Sequence, residues 1–424
     1  MNIEDIYRLY LQFPSIQTDS RKLKKGDFFF ALKGPNFNGN HFAKQALDTG
    51  AAYVVADEDL SFRDERIIQV KDVLETLQQL AKFHREQFTI PFIAITGSNG
   101  KTTTKELLHA VLSTTFKTYT TQGNLNNHIG IPLTILKIKS DAEIAVIEMG
   151  ANHLHEIESY CEYAKPTHGL ITNIGKAHIE GFGSVENVKK GKGELFRYLD
   201  KKNATAFVNT DDQQVLAVSE NLKNVVYYGN KSEDSKGIIL KNDPFIEVEI
   251  EGEKPLNIKT NLVGEYNFPN ILAAYCVAKY FKVEDEKIKN AIENYSPSNS
   301  RSQLIQQNSN TIILDAYNAN PGSMKAAIEN FATMKGDKKI LFLGSMKELG
   351  TESKAEHAAI ISLINSHKWS HVVLVGNEFK EIKHNYISFD NSEQAKDWFK
   401  KEGIKNAHIL IKGSRSMQME KVLE

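Results

Sequence analysis

At 424 residues the chain is longer than one ordinary hydrophobic core supports, so two or three domains are expected. Its 52 basic and 53 acidic residues nearly cancel, to a formal charge of −1, which argues against a general nucleic-acid or polyanion binder. Hydrophobic residues make up 41%, as in a soluble globular protein, and no apolar run reaches membrane-spanning length. The two cysteines, Cys161 and Cys276, supply neither a disulfide framework nor a zinc pattern, and MNIEDIYRLYLQF at the start carries early acids and no long apolar core. A reducing cytoplasm and no signal peptide are therefore expected.

Residues 1–83 read as a small α/β unit. Asp27 to Leu32 and Ala52 to Ala56 are strand candidates, with helical spacing from His41 to Asp48 between them. Thr18 to Arg21 and Gly34 to Gly39 are polar turns that residue type alone leaves as solvated loops. Leu74 to Phe88 reads as a helix leading onward.

Residues 84–296 hold most of the chemistry. Ile90 to Ile95 is a short apolar run with β-branched members, the pattern of a buried strand. Thr96-Gly97-Ser98-Asn99-Gly100-Lys101-Thr102-Thr103 follows, and then a helical pattern through Leu107, Leu108, Val111 and Leu112. Strand, glycine turn, Lys-Thr and helix is the arrangement of a phosphate-binding loop. Gly97 and Gly100 let the backbone aim its N–H groups at phosphate oxygens, Lys101 would reach the terminal phosphates, and the Thr102 hydroxyl would ligate Mg²⁺. The loop is shorter than the general pattern, whose first glycine would fall on Ala94 or Ile95. A glycine-rich turn carrying an exposed lysine is the competing reading.

Thr121 to His128 is too polar for a core element; its amides could bind a sugar or nucleotide, or form a plain turn. The strand Glu143 to Ile147 delivers Glu148 to a sheet edge, where a Mg²⁺ ligand or water-orienting group belongs, although such a residue can equally be a surface acid. A third strand, Gly169 to Thr172, leads to Asn173 and His178. Lys189-Lys190-Gly191-Lys192-Gly193-Glu194 reads by charge as a solvated basic run. Ala204 to Asn209 is a further strand, and alternation from Tyr227 to Ile258 suggests a β-rich piece. Asn267 and Asn270 precede or open the helix Ile271 to Phe281 and could simply cap it; Lys282 to Asn294 is another helix.

Ser296 to Ser300 is a plausible hinge. In 297–424, four apolar runs alternate with helical patterns: Thr311 to Leu314, Lys339 to Leu343, His371 to Val375 and His408 to Ile411. That alternation implies a second, doubly wound and mostly parallel sheet. Asp315 ends its first strand. Lys412-Gly413-Ser414-Arg415 ends its last, with a helix expected next, a combination that suits a carboxylate or phosphate.

Taken in order, the motifs resemble the Mur ligases, ATP-dependent amide-forming enzymes that build the peptide of the bacterial cell-wall precursor. They are TGSNGKTTTK at 96–105, GNLNNHIGIPLTIL at 123–136, EMGANH at 148–153, TNIGKAHIEGFGS at 172–184, KGELF at 192–196, YNFPN at 266–270, DAYNANPGSM at 315–324 and KGSRSMQME at 412–420. The resemblance covers nearly the whole chain. It implies a three-domain α/β fold: a UDP-substrate-binding domain (1–83), a P-loop-type ATPase sheet domain (84–296) and a Rossmann-like ligase domain (297–424). YNANPGSM and KGSRSM look most like the member that joins D-alanyl-D-alanine to UDP-N-acetylmuramoyl-tripeptide. The alternative is the diaminopimelate- or lysine-adding member, although the Asp-Asn-Pro-Arg motif of its diaminopimelate-adding forms is absent. A nucleotide-binding regulator on the same scaffold is a further alternative.

The resemblance also implies roles. Gly97, Ser98, Asn99, Gly100, Lys101, Thr102 and Thr103 would hold ATP. Thr102 and Glu148 would hold one Mg²⁺, and His178 would help hold a second. Lys192 aligns with a lysine that family members carry as a carbamate, which turns a cation into a carboxylate-like group near metal. Asn267, Asn270, Arg301 and Asp315 would contact the nucleotide. Ser20 and Arg21 would hold the uridine diphosphate, and Asn124, Asn126 and Asn127 would lie along the sugar-peptide. Asn318, Asn320, Lys412, Ser414 and Arg415 would meet substrate from the last domain. A cytoplasmic monomer with no nucleic-acid partner is implied. Tyr266, Ser345 and His128 depart from the family pattern, which carries His, Asp and an acid at those places.

Overall fold

The computed structural model describes all 424 residues. Two compact units separate in it, and neither is one continuous stretch. The first comprises Met1–Ile95, Phe116–Gly150 and His155–Gly169; the second comprises Thr96–Thr115, Ala151–Leu154 and Leu170–Glu424.

In the first unit, four short parallel strands run in the order Ile16–Gln17, Phe28–Phe30, Tyr53–Ala56 and Ile67–Gln69. Phe28, Phe29 and Phe30 are all buried, which is why this strand reads as an unbroken apolar run rather than an alternating one. Phe29, Ala31, Val54 and Ala56 pack on Ala43, Ala46 and Leu47 of the helix Ala43–Thr49. Residues 33–38 form a two-stranded ribbon rather than a plain loop, Lys33 pairing with Asn38 and Gly34 with Phe37. The helix Val73–Arg85 is capped by Asp72, whose side chain accepts from the Glu75 amide. Its last residue, Arg85, donates to the carbonyls of Ala164 and Lys165 at the end of the helix Glu156–Ala164, the favoured place for a cation. The same unit holds the parallel strands Thr118–Thr120 and Ile144–Glu148 and, up to Ile95, the strand Phe92–Thr96, with Ile95 opposite Glu148.

In the second unit, Thr205–Asn209 and Asn224–Gly229 pair in parallel, and Ser235–Asn242, Phe245–Ile250 and Leu256–Val263 continue as an antiparallel meander. This is the β-rich piece expected from alternation. A separate six-stranded sheet runs in the order Gln303–Gln307, Asn310–Asp315, His408–Lys412, Lys339–Gly344, His371–Val375 and Ile387–Phe389. Only its first pair is antiparallel. The four strands legible in the sequence are the inner four. The two that were not legible are edge strands, only partly buried, one of them three residues long. Helices cover both faces, Pro321–Thr333 and Ser353–Asn365 on one side and Ser392–Glu402 on the other, so the sheet is doubly wound. Phe342 is fully buried and packs against the rings of Trp398 and Phe399. Phe342→Ala is expected to cost about 3–5 kcal/mol, read as a lower urea midpoint, and an unchanged midpoint would contradict that packing.

The chain differs from expectation after its last strand. No α-helix follows Lys412; two short 3₁₀ turns do, Arg415–Met417 and Met419–Leu423, separated by Gln418 at φ 47°. A left-handed residue there prevents a continuous helix, so no helix macrodipole backs this corner.

Candidate active site

The glycine loop lies in the second unit and opens the helix Lys101–Leu112. Gly97 has φ 143°, and a Cβ there would stand 2.0 Å from Thr172 Oγ1; Gly100 has φ 79°, and a Cβ there would stand 2.5 Å from Asn270 Oδ1. Only glycine fits either place. The loop is held from outside. The Ser98 amide donates to the Asn173 carbonyl (2.9 Å) and the Ser98 hydroxyl to the Gly175 carbonyl (3.0 Å). Asn173 brackets Asn99, its Oδ1 accepting from the Asn99 amide (2.9 Å) and its Nδ2 donating to the Asn99 carbonyl (3.0 Å). Sequence reasoning gave Asn173 no role; its place directly after a strand was the only signal. Lys101 is half-buried, and its Nζ donates to the Gly97 carbonyl (2.6 Å), so the ammonium is folded over the loop rather than loose in solvent. Ser98 and Thr102 are buried and Thr103 is half-buried.

Asn267 stands at the N-cap position of the helix Phe268–Tyr280, but neither it nor Asn270 caps the helix with its side chain. Asn270 accepts from the Thr104 hydroxyl (3.1 Å) and donates to Asn267 Oδ1 (3.0 Å), and Asn267 donates to the Val263 carbonyl (2.9 Å). The two amides thus form a buried chain beside the loop helix. Near them Tyr266 shares a 2.9 Å hydrogen bond with Ser302, and burial, then the Asp315 charge, push its phenol well up. The Arg301 guanidinium lies 3.7 Å from the centre of the Tyr317 ring. Asp315 accepts from the Ser302 amide (3.1 Å) and from Lys412 Nζ (2.5 Å).

Asn320 Nδ2 donates to Asn99 Oδ1 (2.7 Å), while Asn320 also forms a capping box with Ser323 on the helix Pro321–Thr333. Asn320 and the glycine loop are therefore in direct contact. Asn318 is exposed, its carbonyl 3.4 Å from Lys412 Nζ. The Ser414 hydroxyl accepts from the Lys347 amide (2.9 Å), and Arg415 pairs with Glu420 (2.6 Å). Lys412 and Arg415 thus each have a carboxylate partner, and with no helix N-terminus the anion site expected at this corner loses one of its three supports. Ser345 is fully buried and donates to the Val375 carbonyl (3.2 Å).

Lys192 overturns the reading of 189–192 as a solvated run. These residues end the helix Val185–Lys192; Lys190 is exposed, but Lys192 is fully buried. Its Nζ donates to the Ala151 carbonyl (2.9 Å) and lies 5.3 Å from the Phe182 ring centre. His178 Nδ1 stands 2.5 Å from Glu348 Oε2, and the His178 hydrogen bond holds the Glu348 carboxyl below its usual range against the opposing effect of burial.

In the first unit, Glu148 ends its strand and is 1% exposed. Asn126 Nδ2 donates to its Oε1 (2.7 Å), and its own amide donates to Thr121 Oγ1 (3.0 Å). A surface-acid reading is excluded. Asn127 accepts from the Ile129 and Gly130 amides and so starts the helix Gly130–Ile135; Asn124 and His128 are exposed. Ser20 and Arg21 lie in a one-turn 3₁₀ helix, where Arg21 grips Asp19 with Nε (2.8 Å) and Nη2 (2.9 Å). Those hydrogen bonds lower the Asp19 carboxyl to about 2. Asp19 is a partner that sequence reasoning missed.

Donor chemistry sorts the expected metal ligands. Thr102 and Glu148 each offer an oxygen, the donor type Mg²⁺ takes together with phosphate oxygens and water. His178 offers a nitrogen, and its Nδ1 is engaged by Glu348. No group of three or more His, Cys, Asp or Glu side chains clusters as a metal site of the protein alone.

Family models match most of the chain: the Mur ligase family catalytic domain at 12–85, the Mur ligase middle domain at 95–278 and the Mur ligase, glutamate ligase domain at 300–415. A Bacillus subtilis protein named UDP-N-acetylmuramoyl-tripeptide–D-alanyl-D-alanine ligase is 33% identical, covering 96% of this chain and 92% of that one. The chain belongs to the Mur ligase family. Among solved Mur ligases, MurF from Acinetobacter baumannii superposes with a TM-score of 0.88 at 30% identity, covering 96% of this chain and 92% of that one. The Thermotoga maritima MurF ligase, solved in complex with ADP, gives a TM-score of 0.87 at 29% identity over 97% of each chain. No helix of this Mur ligase is long and apolar enough to cross a membrane.

Proposed function

We propose that this Mur ligase joins D-alanyl-D-alanine to UDP-N-acetylmuramoyl-tripeptide with ATP, giving the UDP-N-acetylmuramoyl-pentapeptide of peptidoglycan synthesis, ADP and phosphate. The reading is carried by end-to-end kinship with relatives that bear this ligase's name. The phosphate loop and its supports give that kinship a chemical basis. In this reading residues 1–83 hold the uridine diphosphate, residues 84–296 hold ATP, and residues 297–424 bring the accepting dipeptide, all in the cytoplasm.

A carboxylate is a poor acyl donor, so ATP is used to activate it. The tripeptide's terminal carboxylate attacks the γ-phosphorus; the bond to the β-phosphate oxygen breaks, ADP leaves, and an acyl phosphate forms. The dipeptide amine then attacks the acyl carbon and phosphate departs as the amide forms. The protein's part is positioning and charge neutralisation. Loop amides and the N-terminus of the helix Lys101–Leu112 face the phosphates. The Lys101 ammonium, resting on the Gly97 carbonyl, exchanges that partner for a phosphate oxygen. Asn267, Asn270, Arg301 and Asp315 surround the nucleotide. Thr102 and Glu148 would hold Mg²⁺, which supplies further neutralisation of the phosphate charge. For Lys192 the carbamate reading rests on family resemblance, and complete burial sets this lysine apart from the exposed Lys190. Closure hinged near 296–300 would keep water from the acyl phosphate.

The deciding experiment measures phosphate release by purified protein with Mg-ATP and UDP-muramoyl tripeptide, with and without D-alanyl-D-alanine, and identifies the product by mass spectrometry. Release that needs both substrates and yields the pentapeptide is expected. Release with a single amino acid instead would move the chain to an earlier ligation. ATP binding with no amide product under any condition would make it a regulator.

A further inference from the structure

His178 and Glu348 are non-glycine residues in the left-handed region, at φ 53° and 62°. Such conformations are unfavourable for side-chain-bearing residues and persist where surrounding contacts over-determine them. Here the two strained residues hold each other. His178 Nδ1 meets the Glu348 carboxylate at 2.5 Å, and the Glu348 carbonyl accepts from the Glu180 amide at 3.1 Å. One residue thus grips the turn 178–180 through its side chain and its backbone.

The residues next in sequence, Ile179 and Leu349, face a common cleft of about 240 Å³. Pro321 and Val185 add apolar wall, and the Lys176–Glu356 ion pair (2.5 Å) supplies charge at its lining. Pro321 follows Asn320, which is bonded to Asn99, so one wall of the cleft adjoins the glycine loop 97–100. Its volume is below the ~300–1,000 Å³ of sites for drug-sized ligands, and its apolar walls with nearby charge suit a short zwitterionic peptide with small side chains.

We propose that Glu348 is a positioning residue for the accepting dipeptide: by gripping His178 and Glu180 it sets the distance between the Ile179 and Leu349 walls of this cleft. The inference rests on the proposed ligation, because it assigns the cleft to that reaction's second substrate. Glu348 touches neither phosphate nor acyl group in this role. Its loss therefore weakens dipeptide binding and leaves nucleotide handling intact.

The test compares Glu348→Ala, which removes the side chain that meets His178, Glu348→Gly, which also relieves the left-handed backbone, and Glu348→Asp. The KM for D-alanyl-D-alanine is expected to rise about tenfold or more in the Ala and Gly variants, with KM for ATP and for the UDP-tripeptide within about twofold, and with partial recovery in Asp. An unchanged dipeptide KM, or a parallel rise in all three KM values, overturns the proposal. A wild-type protein that forms no product from this dipeptide overturns the proposed ligation and, with it, the cleft's assignment. Hydrogen exchange then reads the grip itself. Residues 177–183 are expected to exchange about tenfold faster in Glu348→Gly, and an unchanged rate overturns the grip.

Discussion

Lys101→Ala is expected to lower dipeptide-dependent phosphate release by about three orders of magnitude or more, while the melting temperature stays within about 2 °C of wild type. The two halves of this expectation have separate causes. Lys101 is the first residue of its helix, where alanine is at least as good a helix former, and it is only half-buried. The loop conformation does not depend on it, because Thr172, Asn173 and Gly175 hold Ser98 and Asn99 by hydrogen bonds. What is lost is one cation whose tether already places it over the loop carbonyls, and with it the compensation of charge as carboxylate meets phosphate. Parallel phosphate-release and calorimetric ATP-binding measurements check it. A near-normal rate would remove the loop from the reaction; a large drop in melting temperature would make the lysine structural.

The elements legible in the sequence were those whose signal is local. Phe28 to Phe30, the strand before Gly97 and the inner strands of the last sheet announce themselves by apolar runs between turns. The glycine turn between strand and helix was legible because the three elements are contiguous. What stayed hidden depends on partners distant in the chain. Nothing near Asn99 says that Asn173 and Asn320 will bond to it, and nothing near His178 points to Glu348. Asn267 and Asn270 look like caps by residue type, yet three residues apart they share a helix face and extend one hydrogen-bond chain to Thr104.

Lys192 marks where a better reading was available. By charge, 189–192 belongs to solvent. By helical phase, Lys192 lies one turn after the buried Val188, so it falls on the inward face while Lys190 does not. Periodicity outweighs composition there. The misjudged end of the chain has the opposite cause. The run after Arg415 has helix-forming residues, but Gln418 adopts φ 47° and splits it into two short turns.

Glu148→Gln should separate function from stability in opposite directions. The glutamate is 1% exposed at the end of its strand, with Asn126 donating to one oxygen. Glutamine keeps the shape and an oxygen able to accept that bond, and it removes the cost of burying a carboxylate. The urea midpoint is therefore expected to hold or rise slightly. Turnover is expected to fall by about three orders of magnitude, because a neutral amide is a poor ligand for the Mg²⁺ that Glu148 is proposed to hold. Glu148→Ala should lose as much activity and also lose stability, since it leaves Asn126 without this partner and opens a cavity. A Gln variant that stays active but unfolds at lower urea would make Glu148 a structural acid, and a Gln variant that is stable and inactive would place its charge in the reaction.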